Sequence, residues 1–582
     1  MNILMDGLSL FHERTEAVFG VLILILWGQV IFIALLRKTS KTQLTTAEYI
    51  SISSVGWILP VAVMSVLWFA SQIWLGDTGN ILIVSLALII FILSASYVRD
   101  FLPAFAAFTL LFFLSLILRF AFISELALPA YFDSAEHYRI ISGLLDSFTS
   151  HSLHFPTPTY YHIGFHFISA AIAHLFKLNI ADTVLVFGQV VLAILPFSSF
   201  AIINRESKSK TAAVLTCLLA GFGWHMPSHL MNWGKYPALL SLVCILLTAY
   251  IFHLYWQSNN RKIIPFLLSA ILISTFIHSR TLILYGIVGI VFVLTIYFRR
   301  SFFKTRAALF TLTLITLATE YWIIQDNPVL FLVIRSYLQT DQWMLLLVLT
   351  LLPFAIHSFP TQTFFLTGSL SLLALGLFIP IPFPNFGILT LLDRPYLQML
   401  LYLLLSFLSG FGLAGLLQVI KKININKKRF EYAVAFLFTG SIIWNASVNL
   451  NFYPSDCCQI ITRDDLAAMQ WINGSIPENA AFYIASTESN VTTHEQTAIR
   501  SGVDGGIWIQ PLTSHNVTYL DNQMNFENSE AYAQLCVDKN SYIYVGGMSN
   551  SFDANQLDHH PNWYQLVFAL PKVRMYQIAD CK

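Results

Sequence analysis

The feature that most constrains this chain is a succession of apolar stretches, each about as long as a bilayer is thick. Predominantly apolar stretches of about 17 to 25 residues can cross a bilayer as helices. Such stretches lie near 17–36, 50–75, 81–98, 101–124, 182–203, 211–223, 236–256, 263–278, 281–298, 307–325, 343–357, 361–379, 396–419 and 430–449. The sequence therefore predicts an α-helical polytopic membrane protein with about 14 spans.

The composition supports a membrane protein and excludes other classes. Only 11% of the 582 residues are charged and 56% are hydrophobic, whereas soluble proteins carry roughly 25% charged residues. The formal net charge is +1 and no long run of Lys or Arg occurs, so we expect no nucleic-acid partner. Abundant apolar residues and a small net charge also exclude a disordered chain.

Charge divides the chain into two parts. Residues 1–449 hold 26 Lys and Arg against 17 Asp and Glu, whereas residues 450–582 hold 6 against 14. The second part contains a helical run, RDDLAAMQWINGS, the strand-like runs AFYIAS and SYIYVGG, and a strand pair in WYQLVFALPKVRMYQI. We therefore predict a membrane part that ends near 449 and a small soluble α/β domain over 450–582.

The basic residues orient the spans, because short cytoplasmic loops collect Lys and Arg. The basic clusters lie near 37–41, 205–210, 261–262, 299–306 and 421–429. They all fall on one side only if the apolar segment 161–176 is interfacial or re-entrant. We interpret it so, which places loops 125–160 and 224–235 and the C-terminal domain together on the extracytoplasmic face of a multi-pass protein, with the plasma membrane as the expected location.

The outer loop 125–160 carries the first candidate for chemistry. Its segment YFDSAEHYRIISGLLDS has one apolar face at helical spacing, which predicts an amphipathic helix at the membrane surface. Asp133 and His137 are four residues apart and share a helix face, with Glu136 beside them. A carboxylate next to an imidazole can accept a proton or hold a divalent metal. The structural alternative is that Asp133 only caps the helix.

Cations at the outer ends of spans form a second candidate site. Lys235, Arg280, Arg335 and Arg394 break the bias of positive charge toward the cytoplasm in this topology. Arg and Lys are the side chains that hold phosphate oxygens. The alternative for each of them is that its long side chain reaches toward lipid headgroups.

Other polar positions carry weaker signals. His162 and His166 have the spacing of a two-histidine metal site, but the Glu of HExxH is absent, and polar lining of a cavity is the alternative. Glu320 lies in an apolar span, where a carboxylate is a functional candidate or a partner for helix contacts. The motifs for a P-loop, a dinucleotide fold and an esterase elbow are absent from the sequence.

Four cysteines lie in the predicted outer domain, where disulfides can form. They are Cys457, Cys458, Cys536 and Cys581. Adjacent cysteines rarely pair with each other, so the sequence suggests two bridges that join Cys457 and Cys458 to Cys536 and Cys581. Trp508, in DGGIWIQPLT, is expected to pack in this domain or to bind carbohydrate.

The order of these features resembles the polytopic glycosyltransferases of the GT-C fold. A span is followed by an outer loop with an acidic residue near its start, a loop helix, a YYHIGFH segment that re-enters the membrane, further spans and an outer α/β tail. The segments FDSAEHYRI, YYHIGFH, NWGKYP, LDRPY and DGGIWIQPLT resemble those of uncharacterised prokaryotic members. The resemblance covers the chain from about Phe101 onward, which makes 1–100 an extra group of spans and 101–449 the GT-C-like membrane domain.

The resemblance implies transfer of a sugar from a polyprenyl-phosphate or polyprenyl-diphosphate donor to a glycan, lipid or protein acceptor on the outer face. It implies that Asp133 is the general base, with Glu136 and His137 beside it. Lys235, Arg280 and Arg394 would hold the lipid phosphate, and His162 and His166 are added as substrate-binding candidates. This sequence has FDSAEH where many members have a paired acidic motif, so a divalent metal stays an open expectation.

Two other classes of function remain open from the residues alone. A transporter or flippase of a charged amphiphile would use the same outer cations together with Glu320. A non-catalytic membrane protein would use its C-terminal domain for binding.

Overall fold

A computed structural model describes residues 2–39, 44–149, 162–299, 328–383, 387–421, 427–488, 500–536 and 540–579, with a few more between 307 and 315. The first half of the membrane part contains α1 (Asn2–Glu13), α2 (Thr15–Thr39), α3 (Thr46–Gly56), α4 (Ile58–Leu75), α5 (Asp77–Ala95), α6 (Leu102–Phe120), α7 (Phe132–Thr149), α8 (Gly164–Leu175), α9 (Ile180–Ile194), α10 (Ser199–Ser207), α11 (Lys210–Phe222) and α12 (Met226–Asn232). The second half contains α13 (Tyr236–Ser258), α14 (Ile264–Ile277), α15 (Arg280–Arg299), α16 (Pro328–Thr340), α17 (Gln342–Ser358), α18 (Pro360–Leu375), α19 (Arg394–Lys421) and α20 (Lys427–Asn449).

Eight described helices or helix pairs are long and apolar enough to cross a membrane. A ninth span is formed by α16 and α17 if this pair, bent by 97°, counts as one. The described helices therefore give fewer spans than the 14 that the sequence suggests. Two of the predicted spans form the short helices α14 and α18, of 14 and 16 residues, against the roughly 20 residues that a bilayer core requires. The predicted span 307–325, with Glu320, lies largely outside the described residues.

The segment predicted to be interfacial or re-entrant contains α8, a helix of only 12 residues. At about 1.5 Å per residue it is too short to cross a bilayer. Ten of its residues are buried, because α4, α7, α9 and α13 surround it. Buried helices of this length occur within membrane proteins where other helices cover them.

The C-terminal domain is a six-stranded sheet with helices on it. Its strands are β3 (Ala481–Glu488), β4 (Arg500–Gly502), β5 (Asn516–Asp521), β6 (Ser541–Val545), β7 (Tyr564–Leu570) and β8 (Val573–Ile578), and its helices are α21 (Arg463–Ser475), α22 (Ile509–Thr513), α23 (Ser529–Leu535) and α24 (Ala554–Asp558). A separate hairpin of β1 (Pro380–Phe383) and β2 (Gly387–Thr390) lies in the membrane part.

The strand order is β4-β3-β6-β8-β7, and β5 also pairs with β3. β3 is parallel to β5 and β6, whereas the other pairs are antiparallel. All five residues of β6 are buried, because apolar clusters cover both faces of the sheet. The predicted α/β character, including helix 463–475 and the final strand pair, agrees with these elements.

The disulfide expectation was wrong for Cys457 and Cys458, which form a bond with each other. Cys536 is also disulfide-bonded, and Cys581 lies outside the described residues. The two adjacent cysteines and Cys536 lie in different parts of the domain, which explains why they do not pair. The Cys458 carbonyl accepts the Tyr131 N–H next to α7, whereas Cys536 packs in the apolar cluster with Leu535 and Ile578.

The apolar core of the C-terminal domain continues into the membrane part. Leu128, Ala135 and Ala181 belong to the same buried cluster as the helix α21 and Trp508. Trp508 is fully buried, and its ring meets Tyr138 of α7 edge to face at a centroid distance of 5.6 Å. The domain therefore rests directly on the loop helix α7.

Candidate active site

A small cavity opens where five chain segments meet. These are the start of α7, the residues before α8, the start of α13, the turn between α14 and α15, and the start of α19. The cavity has a volume of about 50 Å³. It is lined by Asp133, His137, His162, Lys235, Pro237, Ala238, His278, Arg280, Asp393, Pro395, Tyr396 and Met399. Residues that are far apart in the sequence therefore share one site.

Two proline residues start the helices that carry the cations to this cavity. Pro237 lies in the first turn of α13, two residues after Lys235, and Pro395 is the second residue of α19, directly after Arg394. Proline is favoured in the first turn because its fixed φ suits a helix and its missing N–H is not needed there. Both cations therefore lie at helix starts that the local sequence defines.

The loop helix α7 brings Asp133 and His137 to the cavity, as their spacing predicts. The helix begins at Phe132, so Asp133 is inside the first turn and does not cap it. Lys235 Nζ donates a hydrogen bond to Asp133 Oδ2 and forms an ion pair with it. The Lys235 side chain is 25% exposed and the Asp133 side chain 18%, which places the pair at the rim of the cavity.

Two residues with left-handed backbone flank this ion pair. Tyr131 enters α7 with a φ of +68°, and Gly234 precedes Lys235 with a φ of +60°. A Cβ atom at Gly234 would collide with Ser134 Oγ and would lie 2.9 Å from the Ala130 carbonyl oxygen. Such backbone is costly for a residue with a side chain and is often found at functional sites. Only glycine allows this close approach to α7.

His137 lies in the interior of the site and is 3% exposed. Its Nδ1 atom lies 3.0 Å from His166 Nε2, and its ring also forms a hydrogen bond with the Gly234 backbone. Burial, together with the Lys235 charge, lowers the pKa of His137 to about 3. The ring is therefore neutral at pH 7 and links α7, α8 and the turn before α13.

Arg280 forms an ion pair with Asp393 across the cavity. Their side chains are 8% and 17% exposed, so the pair is largely removed from water. Arg394 follows Asp393 and is half-buried. No ion pair joins Arg394 to a carboxylate within the described residues, and the group that faces its charge is Tyr131.

Three aromatic rings form a stack along the wall of the cavity. The His278 ring is parallel to the Tyr396 ring at 4.9 Å, and the His162 ring, tilted by 35°, lies 4.5 Å from His278. Burial and the Arg280 charge lower the pKa of His278 well below its ordinary value, and burial does the same for His162. Both rings are therefore uncharged at neutral pH.

Three buried nitrogen atoms of this site have no hydrogen-bond partner among the described residues. They are His278 Nδ1, Arg280 Nε and Arg394 Nε. The two arginine atoms are obligatory donors, and a buried donor without a partner is costly. The site is therefore suited to a ligand that offers oxygen acceptors, such as a phosphate.

Two predicted site residues lie elsewhere. Glu136 forms an ion pair with Arg139, at 2.7 Å, on the side of α7 that faces Tyr519 of the C-terminal domain. Arg335 lies in α16 and is not among the residues that line the cavity. Among the described residues, no group of three or more His, Cys, Asp or Glu side chains is arranged to hold a metal ion.

The sequence also left three cavity residues unassigned, namely His278, Asp393 and Tyr396. Each lies within two residues of a predicted cation, in IHSRT or LLDRPY, and this proximity was the available signal. The ion pair between Arg280 and Asp393 could not be read from the sequence. Arg280 lies at the start of α15 and Asp393 just before α19, and only the fold brings them together.

No protein-family model matches this sequence, and no curated protein matches it. The function of the site must therefore follow from its own geometry and chemistry.

Proposed function

We propose that the protein is a membrane glycosyltransferase with a GT-C-like membrane domain. In this proposal it transfers a sugar from a polyprenyl-phosphate-linked donor to a glycan, lipid or protein acceptor on the outer face of the membrane. The observation that carries the proposal is that two carboxylates, Asp133 and Asp393, and two cations, Lys235 and Arg280, line one cavity, where Arg280 Nε is a buried donor without a partner among the described residues.

The proposed reaction needs a proton acceptor and a site for a leaving phosphate. The acceptor hydroxyl oxygen forms the new bond to the anomeric carbon, and its proton passes to Asp133. The bond from the anomeric carbon to the phosphate oxygen breaks, and its electron pair stays on the phosphate. Asp133 is suited to this role because it lies at the cavity rim, where an acceptor can arrive from solvent.

The leaving phosphate is assigned to the cationic side of the cavity. Arg280 Nε, in the lining, and Arg394 Nε, between the lining residues Asp393 and Pro395 in sequence, are buried donors without a partner in the part of the chain that the structure describes. Donors held in place before the reaction stabilise charge as it develops on the leaving oxygen. Lys235 lines the same cavity and forms an ion pair with Asp133, so it connects this phosphate site to the proposed base.

The position of the outer domain also supports a catalytic role for α7. Trp508 packs against Tyr138, and Tyr519 faces the Glu136–Arg139 pair. The domain thus packs against α7, the helix that carries Asp133. An acceptor that binds between this domain and the cavity would be close to the proposed base.

The test is sugar transfer in membranes that contain the wild-type protein or the Asp133→Asn variant at equal amounts. Label is followed from a radiolabelled polyprenyl-phosphate sugar into acceptors. Asp146→Asn is a matched control, because Asp146 lies on the same helix, is exposed and does not line the cavity. We expect loss of transfer only with Asp133→Asn. Equal transfer by all three proteins would reject Asp133 as the base.

One observation favours a transporter or flippase as the second candidate. Asp341 lies at the 97° bend between α16 and α17 and is fully buried. His225 donates to it from Nδ1 at 2.5 Å and from its backbone N–H at 3.2 Å. A buried carboxylate at a broken helix is a frequent feature of transport sites.

The two candidates predict different results for Asp341→Asn. A transporter should lose movement of a charged lipid across proteoliposome membranes, whereas a glycosyltransferase should keep the ability to transfer sugar. Lipid movement by the wild-type protein that Asp341→Asn abolishes, without any sugar transfer, would favour the second candidate.

A further inference from the structure

The chain segment 455–458 follows α20 and reaches the start of α7. Its Cys458 carbonyl oxygen accepts a hydrogen bond from the Tyr131 N–H at 3.0 Å. Tyr131 lies two residues before Asp133 and has left-handed backbone, with a φ of +68°. Such backbone is costly for a residue with a side chain, and it persists where neighbouring contacts hold it in place. The hydrogen bond to Cys458 is therefore one of the contacts that fix the start of α7.

The same segment contacts the helix that precedes Lys235. The Ser455 N–H donates to Asn232 Oδ1 at 2.8 Å, and Asn232 Nδ2 donates to Ser455 Oγ at 3.1 Å. Asn232, three residues before Lys235, is fully buried at the end of α12. The segment 455–458 therefore connects the two parts of the chain whose side chains form the ion pair between Asp133 and Lys235.

A disulfide between neighbouring residues fixes the shape of this segment. Cys457 and Cys458 are bonded to each other, which closes a small ring around the peptide bond that joins them. The Cys458 N–H also donates to the Ser455 carbonyl oxygen at 3.0 Å, so the turn begins and ends at the two residues that make the outer contacts. A covalent ring removes conformations that an open chain can adopt. The disulfide therefore holds the Cys458 carbonyl group and the Ser455 amide group in fixed relative positions.

Solvent reaches this disulfide at one of its two residues. Cys457 is exposed, whereas Cys458 is 1% exposed. A disulfide is reduced when a thiolate attacks an accessible sulfur atom. A dithiol reductant supplies two electrons and two protons, so the bond between the two cysteines breaks to give two thiols and the dithiol becomes a disulfide. Reduction therefore opens the ring without any change in the sequence.

From these contacts we propose that the disulfide between Cys457 and Cys458 positions Asp133 beside Lys235, so that sugar transfer requires its oxidised form. This inference rests on the proposed function and adds positioning residues to its site. When the ring opens, the Cys458 carbonyl group can turn away from Tyr131, and the start of α7 relaxes. The phosphate side of the cavity belongs to α15 and α19, so binding of the donor persists.

The experiment measures sugar transfer by the purified full-length protein before and after treatment with dithiothreitol. Alkylation followed by mass spectrometry verifies which cysteines are reduced. We expect reduction to lower kcat by about tenfold or more, because a displacement of about 1 Å can cost about a hundredfold in rate. The KM for the radiolabelled polyprenyl-phosphate sugar should stay nearly unchanged. Hydrogen exchange of the Tyr131 amide should become faster, because its partner is the Cys458 carbonyl oxygen.

Two variants isolate the contribution of this bond. The double variant Cys457→Ser/Cys458→Ser should transfer sugar as slowly as the reduced wild-type protein and should not respond to dithiothreitol. Cys536→Ser is the matched control, because Cys536 is also disulfide-bonded but packs in the apolar cluster with Leu535 and Ile578. We expect this control to transfer sugar like the wild-type protein and to keep the response to dithiothreitol. Thermal unfolding of each variant verifies that it is folded.

Each outcome has a distinct meaning. A folded double variant that transfers sugar at the wild-type rate, or wild-type transfer that survives verified reduction, overturns this inference but leaves the transferase in place. Loss of transfer on reduction that the double variant reproduces supports both. If the wild-type protein transfers no sugar, the proposed function fails, and hydrogen exchange decides whether the disulfide positions α7. Faster exchange at Tyr131 on reduction supports that positioning, and unchanged exchange overturns it.

Discussion

The turn at Gly234 permits a sharp prediction, because it brings Lys235 against α7. Gly234→Ala places a methyl group against Ser134 Oγ and within 2.9 Å of the Ala130 carbonyl. The residue also keeps a φ of +60°, which costs a residue with a side chain about 1–2 kcal/mol. Forcing extra volume into a packed contact costs about 1–3 kcal/mol. The expected total loss of stability is therefore about 2–5 kcal/mol.

The same substitution should affect the site as well as the stability. Moving α7 away from the turn separates Asp133 from Lys235 and breaks the contact between His137 and the Gly234 backbone. We therefore expect Gly234→Ala to lower sugar transfer strongly in the fraction that still folds. A displacement of about 1 Å can cost a factor of about 100 in rate.

The assay is denaturant titration of the purified protein, with transfer measured on the same samples. Gly289→Ala is the matched control, because no atom lies within 4 Å of a Cβ at Gly289 in α15. We expect this control to change stability by no more than about 1 kcal/mol. If Gly234→Ala and Gly289→Ala prove equally stable and equally active, the close contact between the turn and α7 is refuted.

Three further predictions concern the rest of the fold. Burial raises the pKa of Asp504 from its ordinary 3.8 to about 6. Its protonated form therefore contributes about 3 kcal/mol to the free energy of unfolding near pH 4, and this contribution is lost as the pH rises through 6. The pH dependence of the free energy of unfolding should be flatter in Asp504→Asn but not in Asp456→Asn. Asp341→Ala leaves a buried histidine without its partner and should lower stability by about 3–5 kcal/mol in denaturant titration. Tyr138→Ala removes the ring that meets Trp508 and should increase hydrogen exchange in the C-terminal domain near α22. Unchanged exchange would show that this contact does not hold the domain against α7.

Several parts of the fold follow from local signals in the sequence. The helix α7 was expected from its apolar spacing, and α8 from its short length and its histidines. The helix 463–475 has a capping box of Thr462 and Asp465, and the strand pair at the C-terminus has short apolar runs around a turn. In each case the information lies within a few residues, so it can be read without the fold.

Other parts depend on contacts between distant segments. The Arg280–Asp393 pair joins two turns more than a hundred residues apart, and spacing gives no sign of it. Asp341, at the bend between α16 and α17, is hydrogen-bonded to His225, which comes from the turn before α12. The number of spans does not follow from the apolar stretches alone, because the apolar stretches at α14 and α18 form short helices.

The candidate site was partly predictable, because some of its residues are marked by local sequence signals and others depend on distant contacts. Asp133, His137 and Lys235 were chosen for their chemistry and their expected side of the membrane, and the cavity contains all three. Glu136 was chosen for its position beside them, but the helix turns it toward Arg139 and the C-terminal domain. A prediction from spacing gives the face of a helix, whereas the partner of each face depends on the tertiary structure.

The most direct test of the central claim separates ligand binding from turnover at Asp133. Purified wild-type protein and Asp133→Asn are reconstituted in liposomes, and single-turnover transfer from a polyprenyl-phosphate sugar is measured together with binding of the donor. We expect Asp133→Asn to retain donor binding, because Arg280 and Arg394 remain in place, and to lose transfer by a factor of at least about 100. Normal transfer by this variant, or loss of donor binding in a protein that is still folded, would contradict it.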